Sequence, residues 1–105
     1  MSDLKKYQKL VYENKVQKGF NVTNIETEFL LIYGEIAEAF ESYKKNEMAN
    51  LGEELADVAI YLLGLSEILG IDLDEEIAKK IEINQNREYV SGANGYMKKK
   101  YRCLE

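Results

Sequence analysis

None of the chain's 105 residues is proline. No position therefore carries the locked φ and missing N–H that break a helix interior. Punctuation falls to glycine and to short polar clusters, and apolar residues between them recur at three- and four-residue spacing. Leu4, Tyr7, Leu10 and Val11 predict a helix over about 3–18, stopped by Gly19. A second runs over about 24–45, capped by Thr23 or Asn24, with Glu26 and Glu28 suited to its positive end. A third covers about 48–69, where Leu51, Leu55, Val58, Leu62, Leu65 and Leu69 form a near-heptad stripe before Gly70. Asp72, with Glu75 three residues later in a capping-box arrangement, opens a fourth that reaches about 87. The predicted class is all-α, four helices in a bundle-like arrangement. Ser91 to Gly95 reads as loop, and the segment beyond it, with Lys98, Lys99, Lys100 and Arg102, as a basic tail.

This length suits one domain, and a domain this small buries a modest share of its surface. The broad apolar faces of the second and third helices therefore predict self-association. A formal net charge of −5 argues against nucleic-acid binding, which depends on neutralising phosphates with Lys and Arg. If the chain handles phosphates, a divalent cation is the obvious local source of positive charge. Cys103 is the sole cysteine, so no internal disulfide is possible. The N-terminus MSDLKKYQKL lacks the apolar stretch of a leader. No run approaches the ~18 apolar residues of a membrane span. Expected are a cytoplasmic location and no membrane partner.

Against this pattern four carboxylates stand out. At about 100° per residue, Leu31, Ile32, Ala39 and Ser42 all fall within about 60° of Glu35, placing that acid inside the apolar stripe. Glu38 follows one turn along the same edge. On the third helix Ile60, Tyr61, Gly64 and Ile68 surround Asp57, with Glu54 one turn before it. One Glu-x-x-Glu is commonplace on a solvated helix. Two pairs on consecutive helices, each set in an apolar stripe, are harder to dismiss, because unpaired buried carboxylates are costly and repel one another. A bound cation relieves both. All-oxygen donors suit Mg²⁺ or Mn²⁺, and the absence of histidine argues against zinc and against a Glu-x-x-His di-iron site.

The stretch Gly34-Glu35-Ile36-Ala37-Glu38-Ala39-Phe40-Glu41, followed after a gap by Glu53-Glu54-Leu55-Ala56-Asp57-Val58-Ala59-Ile60-Tyr61-Leu62, resembles the MazG-like superfamily of all-α nucleoside triphosphate pyrophosphatases. That group includes dCTP pyrophosphatase and the dimeric dUTPases, and its signature is Glu-x-x-Glu, a variable gap, then Glu-x-x-Asp. Leu69-Gly70-Ile71-Asp72-Leu73 with Lys80-Ile81-Glu82-Ile83-Asn84 and Arg87 is similar to its closing helix. Tyr12-Glu13-Asn14 through Lys18-Gly19-Phe20 is similar to its opening helix. The resemblance covers about residues 7–90, giving a helical domain over 1–90 and a tail over 91–105. One departure is that Leu31, Ile32 and Tyr33 fill the stretch where some members carry a further acid; Glu41 is a candidate outer acid.

The resemblance implies cleavage of a (d)NTP between the α and β phosphates to (d)NMP and pyrophosphate, in nucleotide-pool house-cleaning. Glu35, Glu38, Glu54 and Asp57 would hold Mg²⁺, with Mn²⁺ a substitute, and Glu38 or Glu35 would be the base. Lys80 and Asn84 would contact phosphate and sugar, and Arg87 is a further phosphate candidate. The resemblance also implies a homodimer or homotetramer. Tyr7, Phe20 and Tyr61 are candidates to stack on a base, although each reads equally as core. Two other readings compete: a non-enzymatic helical oligomeric module, and an enzyme of the same scaffold acting on phosphoribosyl-ATP.

Overall fold

The computed structural model describes residues 3–91 and 97–99, with side-chain surroundings for residues 3–89. Helix α1 is Leu4–Gln17, α2 Ile25–Lys44, α3 Met48–Ile68 and α4 Leu73–Gln85. A short antiparallel pair follows, β1 (Tyr89–Ser91) and β2 (Met97–Lys99), with Tyr89 opposite Lys99, Val90 opposite Lys98 and Ser91 opposite Met97. The all-α class stands. Lys98 and Lys99, in the segment read as a basic tail, lie in β2; Tyr89 and Val90 are good strand formers. The expectations for residues 92–95, Lys100, Arg102 and Cys103 lie outside the described residues. No described helix is long and apolar enough to cross a membrane.

Three helix ends share one device. Gly19 (φ 72°), Asn46 (φ 62°) and Gly70 (φ 72°) adopt the left-handed conformation just past α1, α2 and α3. In each case the next residue's N–H reaches back to the last turn: Phe20 to Lys15 O at 2.8 Å, Glu47 to Ser42 O at 2.9 Å and Ile71 to Ser66 O at 2.9 Å. These are Schellman closures, built where glycine or asparagine avoids the Cβ penalty. At the other end of α2, Asn24 Oδ1 accepts from Thr27 N at 3.0 Å, resolving the choice of cap in favour of Asn24.

The chain divides into two compact units, with the boundary between Asp74 and Glu75. In the first unit α3 is central, packing on both α1 and α2. Gln8 of α1 is buried and ties down the exit of α3. Its Nε2 donates to Glu67 Oε1 at 3.0 Å and to Ile71 O, while its Oε1 accepts from Leu73 N at 3.2 Å. An otherwise orphaned N–H at the start of α4 is thereby satisfied. Asp72 pairs with Lys5 at 3.6 Å. In the second unit Lys79 bridges to Glu75 one turn earlier, at 3.1 Å, the favoured order for such a pair.

The apolar core of the described residues is small: Ile32, Ala39, Leu63 and Leu65. Much of the remaining apolar surface lies open in orderly rows. On α2, Phe29, Tyr33, Ile36, Phe40 and Tyr43 recur at alternating four- and three-residue steps, and Tyr33 and Phe40 are 67% and 58% exposed. The α3 stripe is likewise uncovered at Leu55, Leu62 and Leu69. Seams of this spacing are what one helix offers another.

Candidate active site

Helices α2 and α3 hold the two acid pairs within electrostatic reach of one another. Glu35 is half-buried, near the middle of the α2 face that also carries buried Ile32, Ala39 and Ser42. Glu54 and Asp57 are half-buried on α3, while Glu38 is exposed at the edge of its stripe and not within it. The four act on one another electrostatically. Glu35's carboxyl is held above its usual 4.5 by burial, then by its hydrogen bond to Glu38 and the charges of Glu38, Asp57 and Glu54. Glu54 is likewise raised by desolvation, then by the charges of Glu38, Asp57 and Glu53. Among the described residues no ion pair engages any of the four.

An uncompensated all-oxygen cluster is the donor set a hard divalent cation takes. The chemistry fits such an ion, although among the described residues no three acids converge closely enough to cage one. Mutual repulsion is the physical reason to expect like charges to stand apart.

Beside the acids, α1 and α3 enclose an open cavity of about 320 Å³ lined by Leu10, Val11, Asn14, Lys15, Phe20, Ile60 and Tyr61. Tyr61 belongs to both places. It lines this cavity and sits one turn beyond Asp57, and its hydroxyl is pushed up by burial, then by the charges of Glu35, Glu28, Asp57 and Glu38. Of the aromatic residues considered for a base, Phe20 (55% exposed) and Tyr61 line the cavity, whereas Tyr7 does not. Phe20 is therefore not a core residue.

Sequence reasoning missed the polar group beneath this cavity. Glu28 is fully buried and pairs with buried Lys15 at 2.8 Å. Its place in the first turn of α2 suits the helix dipole, which is a local reason sufficient for an acid. Its signal was present: Glu28 lies seven residues before Glu35, within about 20° on the helical wheel, so the reasoning that singled out Glu35 applies equally to it. The other expected contacts, Lys80, Asn84 and Arg87, fall in the second unit. Lys80 is exposed. Arg87 Nη1 donates to Asn84 Oδ1 at 3.0 Å, while its Nε is buried without a hydrogen-bond partner among the described residues.

The model of the MazG-like family matches residues 19–104. Over 45 residues the chain is 42% identical to a dATP/dGTP diphosphohydrolase of cyanophage S-2L, a match covering 43% of this chain and 43% of that protein. The chain thus spans less than half the length of the curated relative it matches. In fold it is similar to the cyanophage S-2L MazG-like pyrophosphohydrolase solved with dGDP and three catalytic Mn²⁺ ions per active site. The TM-score is 0.73 at 24% identity, covering 96% of this chain and 100% of that one. A family match running from the end of α1 through both acid pairs and beyond α4 makes this chain a member of the MazG-like family.

Proposed function

We propose that this chain is a divalent-cation-dependent nucleoside triphosphate pyrophosphohydrolase, cleaving a (d)NTP between the α and β phosphates to (d)NMP and pyrophosphate. The observation that carries the reading is the junction at Tyr61: it lines an apolar cavity with room for a base and feels the charges of Glu35, Asp57 and Glu38, which with Glu54 form the repelling acid set. A nucleotide has that division, an aromatic ring at one end and polyphosphate at the other. Glu35, Glu38, Glu54 and Asp57 would hold Mg²⁺, or Mn²⁺ in its place. The cation supplies charge stabilisation for the phosphoryl group. Glu38 or Glu35 takes the proton of the attacking water, since the chain has no histidine. Phe20 and Tyr61 flank the base. Lys80, Asn84 and Arg87 are proposed phosphate and sugar contacts on the family resemblance alone. The reading places the enzyme in the cytoplasm, acting on the nucleotide pool. The S-2L neighbour, holding a purine nucleotide and Mn²⁺, supports both halves of the proposal.

The test is a panel of NTPs, dNTPs and phosphoribosyl-ATP with Mg²⁺ or Mn²⁺, read by chromatography. Monophosphate plus pyrophosphate from a (d)NTP is expected. Orthophosphate plus diphosphate would show that the wrong bond has been assigned, and no turnover of any nucleotide would end the proposal. A preference for phosphoribosyl-ATP would move the chain to a different substrate within the same scaffold.

We further propose a homodimer or homotetramer that covers the open seams of α2 and α3. Contiguous apolar patches of this kind mark association surfaces on small proteins. The double variant Tyr33→Glu/Phe40→Glu is expected to sediment as a 12.1 kDa monomer, and the parent as a multiple of it. A parent that sediments as a monomer at micromolar concentration contradicts this assembly.

A further inference from the structure

The ion pair beneath the cavity is costly to bury and is placed where an apolar pair would serve packing alone. Replacing such pairs with hydrophobic residues is often neutral or stabilising, so its position calls for an explanation. Lys15 leaves α1 across α3 at Gly64, where an added Cβ would stand 3.2 Å from Val11 Cγ1 and 3.3 Å from Lys15 Cδ. Its Nζ then lies 5.5 Å from the centroid of the Tyr61 ring and 2.8 Å from Glu28 Oε1 on α2. One lysine therefore ties all three helices of the first unit.

The other oxygen of Glu28 holds the α1–α2 turn. Asn21 Nδ2 donates to Glu28 Oε2 at 2.9 Å and to Asn24 O at 2.9 Å, while Asn21 Oδ1 accepts from Asn24 N at 3.0 Å and Thr23 N at 3.4 Å. Phe20, adjacent to Asn21, is also bound through its own N–H to the carbonyl of Lys15. The backbone at Phe20 and the ring of Tyr61 are thus both linked to the same buried carboxylate, one through the turn and one through the ammonium.

We infer that Glu28, Lys15 and Asn21 are positioning residues for base recognition: Glu28 sets Lys15 against Tyr61 and Asn21 beside Phe20, and so fixes the spacing of the cavity walls. The inference rests on the cavity being the base site. Loosening the network widens the slot without touching the acids, so binding of the base weakens while phosphoryl chemistry on bound substrate continues. The signature is an effect on KM and on discrimination between bases, with little effect on kcat.

Three variants of the full chain test it: Asn21→Ala, Glu28→Gln, and the double variant Lys15→Met/Glu28→Leu. The last removes both charges together and keeps the fold where Glu28→Gln strands the lysine. Expected in each folded variant are a KM for the best nucleotide raised about tenfold, about 1.4 kcal/mol, kcat within about threefold, Mn²⁺ affinity by calorimetry unchanged, and a narrower spread of kcat/KM across bases. A pair that merely holds the helices predicts a normal KM in the double variant once it is folded; that result, together with a normal KM in Asn21→Ala, overturns the inference. Phe20→Ala separates the two levels. If it raises KM while the network variants do not, the base site stands and the positioning role falls. If an active enzyme tolerates Phe20→Ala without change in KM, the cavity is not the base site and both fall.

Discussion

Asp57→Asn, which removes a proposed cation ligand, and Glu38→Gln, which removes a proposed base, are each expected to lower kcat by about 10²–10⁴-fold, while the cation-free chain remains at least as stable as the parent. The two halves of that result belong together. Asp57 and Glu38 appear among the charges that hold both Glu35 and Glu54 above their ordinary range. Neutralising either relieves a repulsion and breaks no ion pair, since none engages them among the described residues, and the amide of Glu38→Gln can still donate to Glu35 where Glu38 now hydrogen-bonds it. An ordinary structural acid would behave the opposite way, costing stability and sparing turnover. Steady-state kinetics with thermal unfolding in EDTA checks both at once. Retained kcat in either variant removes that residue from the proposed chemistry, and a lower midpoint in EDTA contradicts the repulsion.

The second large effect concerns the cation itself and its dependence on pH. For Glu35 and Glu54 the folded-state pKa lies above the usual 4.5. Below the unfolded value these groups are protonated in both states and contribute nothing. As pH rises past 4.5 the unfolded chain ionises them more readily than the folded one, so each subtracts stability, fully so above its folded value. A cation bound by ionised carboxylates reverses that. Mg²⁺ or Mn²⁺ is therefore expected to raise Tm near pH 7, by about 2.7 kcal/mol of stability at a hundredfold excess over Kd, and to have little effect near pH 4. In Asp57→Asn the rise shrinks at every pH. Thermal scans with and without the cation across pH 4–8 read this directly. A shift that is the same at both ends of the range would place the ion on groups that do not titrate there.

Helical periodicity made much of this visible before any coordinates. A chain with no proline and regular apolar spacing gives helix limits to within a residue or two, and Gly19 and Gly70 mark two of the three closures because a positive φ is inexpensive only where Cβ is absent. Asn46 makes the third closure with a residue whose preference is weaker. Glu35 and Asp57 were legible as acids on apolar faces. Glu28 was equally legible by angle, but its place near a helix start offered a sufficient local reason for an acid and concealed the non-local one. Lys15, Asn21 and Gln8 carry no such mark. Each is an ordinary polar residue whose burial depends on which segment crosses it, and pairings such as Gln8 with Leu73 span too much sequence for periodicity to reveal. The α3 seam is legible as a near-heptad stripe, whereas the α2 face reads from the sequence only as breadth. The four–three spacing on α2 emerged once the covered side of the helix was known.

Tyr61 is where the acids and the cavity meet, and apart from Ile60, its neighbour on α3, the rest of the cavity lining comes from a segment that carries none of the four acids. The acids stand on α2 and α3, whereas Leu10, Val11, Asn14 and Phe20 belong to α1 and its closing turn. A scaffold divided in this way can change its taste without relearning its trade. On the proposed function, substitutions along α1 can reshape the slot for another ring while the carboxylates stay as they are, so kin with nearly identical acids would part company on the opening helix. In such a lineage Tyr61, answerable to both ends, has the least freedom to vary.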